Sequence, residues 1–270
     1  VNLRTARFLF LILLLEGALF LALVSDAWLK QVQRHQKSPL AVGRLAAPAK
    51  VINRFSFNTP ENLKSWEEKI FKGKTLYEIR EAGDQNFLSA SSQGTSSGLY
   101  AKMDQKVSPD LYLCWKWRAV AFPQKKEPLK LANRREDDFA GRIYVVFPGS
   151  NFFNSNVIEY LWDENIPADT FSSSPFSERV KLFVIRSGKP VEGEGWQTEE
   201  RNLFDDYKRL YGKEPTRPLG AIAIMSDSDN TQTQSACDFG EIYFQIKAKQ
   251  KEERENAGEI SMADQAPHSS

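Results

Sequence analysis

The chain has 270 residues, with 36 Lys and Arg against 35 Asp and Glu and a formal net charge of +1. So even a balance leaves no electrostatic footprint for nucleic acid. Aromatics make up 12% of the residues, including six Trp and 18 Phe, a composition that suits strands, an aromatic core and stacking faces.

Residues 1–27 read as a targeting segment. Arg4 and Arg7 form a basic start, and Phe8 to Val24 is apolar apart from Glu16, Gly17 and Ala18. Ser25-Asp26-Ala27 then offers the small residues that a signal peptidase reads. The competing reading is an uncleaved anchor, for which a short apolar run broken by Glu16 is a poor span. Either way the body is expected outside the inner membrane, exported or periplasmic, or held to that membrane by this helix alone. Residues 28–50, polar and basic with Pro39 and Pro48, read as a linker. Residues 248–270 are charged and then Ala/Ser-rich, the composition of a disordered tail. About 200 residues remain, enough for one well-buried domain.

That body, residues 51–247, has short alternating runs separated by turn residues, the pattern of an all-β sandwich. Strands are expected over Val51–Phe57, Thr75–Arg80, Phe87–Ser92 and Leu99–Met103, with one or two helical turns over Leu63–Phe71 and a Ser/Gly turn over Gly94–Gly98. Leu111–Val120 alternates strictly. Leu111, Leu113, Trp115, Trp117 and Ala119 fall on one face, which reads as core. A charged loop, Pro123–Glu136, leads into Asp137–Phe147. On that run Phe139, Ile143, Val145 and Phe147 share one face, and Asp138, Arg142, Tyr144 and Val146 share the other. Val157–Asp163 follows with Ile158, Tyr160 and Trp162 on one face. Val180–Arg186 is apolar on both faces and so central in a sheet.

One helix is expected, capped by Asn202, with Leu203, Phe204, Tyr207, Leu210 and Tyr211 as its apolar stripe and Gly212 ending it. Leu219–Met225 and Gly240–Lys247 complete the strands. Cys114 and Cys237 could pair in an oxidising compartment, or stand as two separate buried thiols. His35 and His268 are the two histidines, neither in the body. A His-dependent triad or zinc centre is therefore excluded there, and no Gly-rich phosphate loop is present. Chemistry in the body falls to carboxylates, Arg and Tyr.

Several motifs combine. They are Asp137-Asp138-Phe139-Ala140-x-Arg142-x-Tyr144-Val145-Val146-Phe147, Tyr160-x-Trp162, Arg186-Ser187-Gly188, Trp196 with Glu200-Arg201-Asn202 and Asp205-x-Tyr207, and Met225-Ser226-Asp227-Ser228-Asp229-Asn230-Thr231. Together they resemble the bacterial family of domains of unknown function numbered 3047, over about Phe55 to Ile246. The resemblance implies an exported protein with a jelly-roll-like β-sandwich and no established activity. Cys237 and the basic insertion around Lys125–Arg135 depart from the pattern.

Three constellations carry candidate chemistry. Asp138, Arg142, Tyr144, Tyr160, Trp162 and Arg186, if neighbouring strands present them on one concave face, form a saccharide platform in which rings stack on pyranose faces and charged groups bind hydroxyls. The alternative is a buried Asp138–Arg142 structural network. Asp227 and Asp229, with Asp238 further on, offer oxygen ligands for calcium, although Gln232 stands where a calcium loop has Gly. A turn held by Asx hydrogen bonds is the alternative. Trp196, Arg201 and Asp205-Asp206 gather at the helix start. The expectation is a jelly-roll, galactose-binding-like sandwich with one packed helix, acting as a non-catalytic envelope domain that binds a saccharide or glycan. Two others stand beside it: a carboxylate-dependent carbohydrate-active enzyme using Asp138 with Glu159 or Asp163, and a purely structural domain.

Overall fold

The computed structural model describes residues 49–83, 85–149, 154–190 and 195–247. The targeting segment, most of the linker and the tail expected from the sequence lie outside the described residues. The body is mostly β, in two sheets. The first sheet is ordered β11 (Gln197–Asn202), β6 (Leu111–Ala121), β13 (Gln234–Ile246), β4 (Gln85–Gln93) and β3 (Leu76–Ala82), with β1 (Lys50–Phe55) joined to the far half of β13. The second is ordered β2 (Glu67–Lys72), β5 (Ser96–Gln105), β12 (Leu219–Met225), β7 (Gly141–Phe147), β8 (Asn156–Asp163), β10 (Ser177–Ser187) and β9 (Phe171–Ser174). Strands β8 and β10 run parallel; the other pairings, such as β7 with β8 and β12, are antiparallel.

The two sheets bury their facing sides against each other. From β6 come Leu111, Leu113, Trp115, Trp117 and Ala119, the face expected to be core, all buried. Trp115 meets Tyr160 with ring centres 5.4 Å apart, and Trp117 meets Trp162 at 5.5 Å. Fully burying a side chain of this size stabilises by roughly 1.5–3 kcal/mol. A second, smaller cluster of Leu131, Phe139, Leu161, Ile166, Leu182 and Val184 forms apart from the main core. Strand β10 therefore feeds two cores, Phe183 to the main one and Leu182 and Val184 to the smaller, which explains why it is apolar on both faces.

The helix α1 (Leu203–Tyr211) is built as its sequence predicts. The Asn202 side chain accepts from the Phe204 and Asp205 amides at 3.0 Å, and Gly212 closes it at φ 68°. Tyr207 stacks on Phe147 at 4.6 Å, and Leu203 and Leu210 join the main core. The β7–β8 register puts Phe147 and Asn156 at this end of the sandwich and Gly141 and Trp162 at the other.

Four expectations are corrected. Leu63–Phe71 is not helical beyond a 3-10 turn over Pro60–Ser65; it continues as edge strand β2, because Trp66 turns inward onto Phe55 and Phe57 and the following backbone pairs with β5. Ser96–Gly98 is strand rather than turn, since only Gly94 takes a positive φ. Strand β7 begins at Gly141, four residues after Asp137, so the alternation does not extend to Phe139, which packs in the smaller cluster and not with Ile143, Val145 and Phe147. The Cys114–Cys237 disulfide is absent: both cysteines are free and buried. In the β6–β13 register Cys114 lies opposite Tyr243 and Cys237 opposite Ala119. That separates the two by about 16 Å of strand, at roughly 3.3 Å per residue, far outside the reach of a disulfide.

Cys237 has a packing role instead. A Cβ built on Gly141 would lie 2.7 Å from the Cys237 sulfur and 3.3 Å from the Trp117 ring, so the start of β7 passes against β13 with room for hydrogen alone. Gly141→Ala should cost about 1–3 kcal/mol through overpacking. Cys237→Ala removes the colliding sulfur, and in denaturant melts the double variant should recover part of that loss. Strict additivity of the two changes would refute the contact.

Candidate functional site

Arg142 stands second in β7 and its side chain is buried on the face of the second sheet opposite to Ile143. Its guanidinium makes a fork to Asp227, Nε to Oδ1 at 2.9 Å and Nη2 to Oδ2 at 2.6 Å. Nη1 donates to Glu159 at 3.0 Å and lies 3.5 Å from Asp137, and Nη2 also donates to the Asp137 carbonyl. The Phe139 ring lies 4.6 Å below the guanidinium, and Phe139 N–H donates to Asp227. One cation thus holds three buried carboxylates contributed by β8, the loop after β12 and the lead-in to β7.

Asp138 is buried beside this network without touching Arg142. Its two oxygens accept from Asn230 N–H and Nδ2 and from Thr231 N–H, at 2.6–3.2 Å. Oxygens of Asp138, Asp227 and Asp229 lie within 4.8 Å of one another. Asp238 does not join them. It lies on β13, in the other sheet, paired with Arg118 at 2.6 Å. Every oxygen of Asp138 and Asp227 already accepts from an N–H donor, so these carboxylates are organised around protein donors.

The six-residue platform does not assemble on one face. Register pairs Arg142 with Leu161 and Ile143 with Tyr160, so Tyr160 and Trp162 point into the core while Arg142 and Tyr144 point away from it. Tyr160 donates to Asp206 at 2.7 Å, and the Trp162 ring nitrogen donates to the Gly188 carbonyl at 2.8 Å. Tyr144 donates to the Met225 sulfur. Arg186 reaches Glu199 of β11 at 2.5 Å and lies over Trp162. At the start of the helix Arg201 pairs with Asp206 at 2.5 Å. The carboxylates considered for acid–base work are enclosed: Glu159 under Arg142, and Asp163 in a buried pair with Lys125 at 2.7 Å.

An open site exists elsewhere, and no single motif announced it. The outer face of the first sheet carries a groove of about 940 Å³. Phe87, Ser89 and Ser91 of β4, Arg118 and Val120 of β6, and Asp238 of β13 line it. Register sets Asp238 between Ser89 and Arg118. Arg118 binds Asp238 through Nε and Nη2 at 3.1 and 2.6 Å, and its guanidinium lies over Phe87 and Trp196 at 5.5 and 5.1 Å. Phe122, Arg80, Gln124, Glu164 and Lys189 complete the walls, Glu164 and Lys189 paired at 3.0 Å. The groove thus sets apolar rings beside charges already fixed in pairs. The signal for it was the alternation of Phe87, Ser89 and Ser91 with the core residues Leu88 and Ala90, which becomes legible once β13 is known to lie between β4 and β6.

Burial pushes Glu159 up to about 8 and Asp227 to about 7, against the pull of Arg142. Asp227 takes the guanidinium fork and the Phe139 amide, so of the two Glu159 keeps its proton to the higher pH. An acid whose pKa is raised on folding binds its proton more tightly in the folded state. Its contribution is complete below the ordinary carboxylate range and is lost as pH climbs through about 8. Unfolding free energy should therefore fall from about pH 5 to pH 8, with Glu159 contributing up to about 1.4 kcal/mol per unit and Asp227 adding to the fall below about pH 7. Glu159→Gln should flatten that slope; an unchanged slope would place the proton elsewhere. Arg142→Ala should cost about 3–5 kcal/mol by leaving buried carboxylates uncompensated. Arg142→Lys, lacking the fork, should recover little of it in the same melts.

No curated protein matches the sequence. Among solved structures, the chain is similar to a family 11 carbohydrate-binding module from Clostridium thermocellum in complex with a β-1,3-1,4-mixed-linked tetrasaccharide (11% identity, 74% of this chain and 98% of that one, TM-score 0.38). It is also similar to the tandem CBM22 domains of Paenibacillus barcinonensis Xyn10C (10%, 77% and 48%, 0.37) and to the K1 cleaved adhesin domain of Lys-gingipain from Porphyromonas gingivalis (16%, 73% and 98%, 0.33). Likeness at this level says nothing of ligand. The sequence model that does match, over residues 64–243, is that of a protein of unknown function, DUF3047, and the chain belongs to that family.

Proposed function

We propose that this jelly-roll-type sandwich is a non-catalytic binding domain of an exported envelope protein, and that it takes a saccharide in the groove over the first sheet. The observation that carries this reading is the composition of that groove. Phe122 offers ring surface for the C–H face of a sugar, Phe87 backs the Arg118 guanidinium from beneath, and Arg80, Arg118, Ser91 and Gln124 offer donors and acceptors for the sugar's hydroxyls. The Arg118–Asp238 pair is held by two hydrogen bonds to one Asp238 oxygen and by the rings against the guanidinium, so it meets a ligand already oriented. The Arg142 network, by contrast, is closed and supports a structural role.

The test is affinity electrophoresis and calorimetry of the full chain against soluble neutral and acidic polysaccharides, with and without calcium. At least one polymer should retard the protein, and Phe122→Ala should weaken that binding about tenfold or more at a temperature where the variant, destabilised because Phe122 also packs on the core, is still fully folded. No retardation by any polymer, and no thermal shift with any saccharide, would overturn the reading.

A further inference from the structure

We infer that the saccharide is an acidic one, whose rings lie in the groove and whose anionic groups are held by the charged loop beside it. This rests on the saccharide reading above and adds the charge of the ligand. A second cavity of about 580 Å³ shares Gln124 with the groove as a lining residue, so the two flank the segment that follows β6. A ligand that occupies both flanks has to be extended rather than a single small molecule.

Lys126, Arg134 and Arg135 line the second cavity and are exposed. Neighbouring cations on the same stretch are paired: Lys125 with Asp163 at 2.7 Å, Lys130 with Glu127 at 3.1 Å, Arg142 with Asp227 at 2.6 Å. Among the described residues Lys126, Arg134 and Arg135 make no ion pair, and Arg134 touches only the ring of Phe176, at 5.0 Å. Glu127, Glu136 and Asp229 line the same cavity, but Glu127 is paired with Lys130 and Asp229 with Lys72, so the three cations face Glu136 alone and leave this wall net positive.

The loop that carries them is fixed from below. Glu136 is buried, and its carboxylate accepts from the Lys126 and Glu127 amides at 2.6 and 2.9 Å on one limb and from Asn133 Nδ2 at 3.0 Å on the other. Arg135 N–H donates to the Asn133 side chain, and Gln124 N–H to Thr233. One buried carboxylate thus clips both limbs together and holds Lys126 across from Arg134 and Arg135. A cluster set in place before the ligand arrives binds an anion at lower entropic cost than three free side chains. Polymer-borne carboxylates or sulfates, spaced along a chain that also fills the ring-lined groove, fit both features.

The probes are polygalacturonate and the same polymer fully methyl-esterified, which share a backbone and differ in charge. They are measured by calorimetry with the full chain, with Phe122→Ala, and with Lys126→Ala/Arg134→Ala/Arg135→Ala, which alters exposed positions only. The acidic form should bind at least tenfold tighter at low salt. That advantage should vanish in the triple variant and fade as salt rises, while Phe122→Ala should weaken both forms alike. Equal binding of both forms, still sensitive to Phe122→Ala, would overturn the acidic ligand and leave the saccharide reading standing. Binding of the acid form that ignores Phe122→Ala would mean adsorption of any polyanion, and would overturn the inference. Failure of both forms while a neutral polysaccharide binds would overturn it as well, and failure of every polymer would remove both readings together.

Discussion

The structure depends on one buried cation. Arg142 is placed by the second residue of β7, yet its partners come from three other places: Asp137 before the strand, Glu159 on β8 and Asp227 just past β12. Removing a guanidinium and three carboxylates from water is costly, and only close, fork-like geometry offsets it. The arrangement therefore tolerates little displacement of the strand ends that supply it. It also fixes the paths of the loops that leave them. Asp227 holds the Phe139 amide, and Asp138 next to it holds the Asn230 and Thr231 amides, so two loops are knitted across one end of the sandwich. The helix closes the opposite end by different means, with Tyr207, Tyr211 and Leu210 packing rather than charge.

This division separates what is closed from what is open. At the Arg142 end the polar groups are turned on one another and shut off from water. On the outer face of the first sheet, polar and aromatic groups are also paired, but there they face a groove. The same residue types serve both purposes, and what distinguishes them is whether the space above is filled.

Much of the fold was legible in the sequence, and the misreadings share a cause. Strand β6 and the helix α1 were plain because their periodicity is set by their own residues: Trp115 and Trp117 alternate with Lys116 and Arg118, and Asn202 and Gly212 mark the helix ends. Strand β2 was hidden because every residue of it is exposed and its strand state comes from pairing with β5. Phe139 packs in the smaller core because the alternation that would place it with Ile143 holds only from Gly141, where β7 begins. The ligand platform was assembled from residues on neighbouring strands without their register, and a shift of one residue sends a side chain to the other face. The groove was missed for the complementary reason. Phe87, Arg118 and Asp238 are far apart in sequence, and none is notable until β13 sets Asp238 between Ser89 and Arg118.

Strand β13 has a further consequence. It is the last strand of the body in sequence, yet it lies inside the first sheet and pairs with β1, β4 and β6. A chain made from its N-terminus reaches residue 233 with β4 paired only to β3, β6 only to β11, and β1 to nothing. The sheet cannot form in stages from one edge. It must wait for its central member, so the sheet closes only once residues 234–246 are in place, in one long-range step.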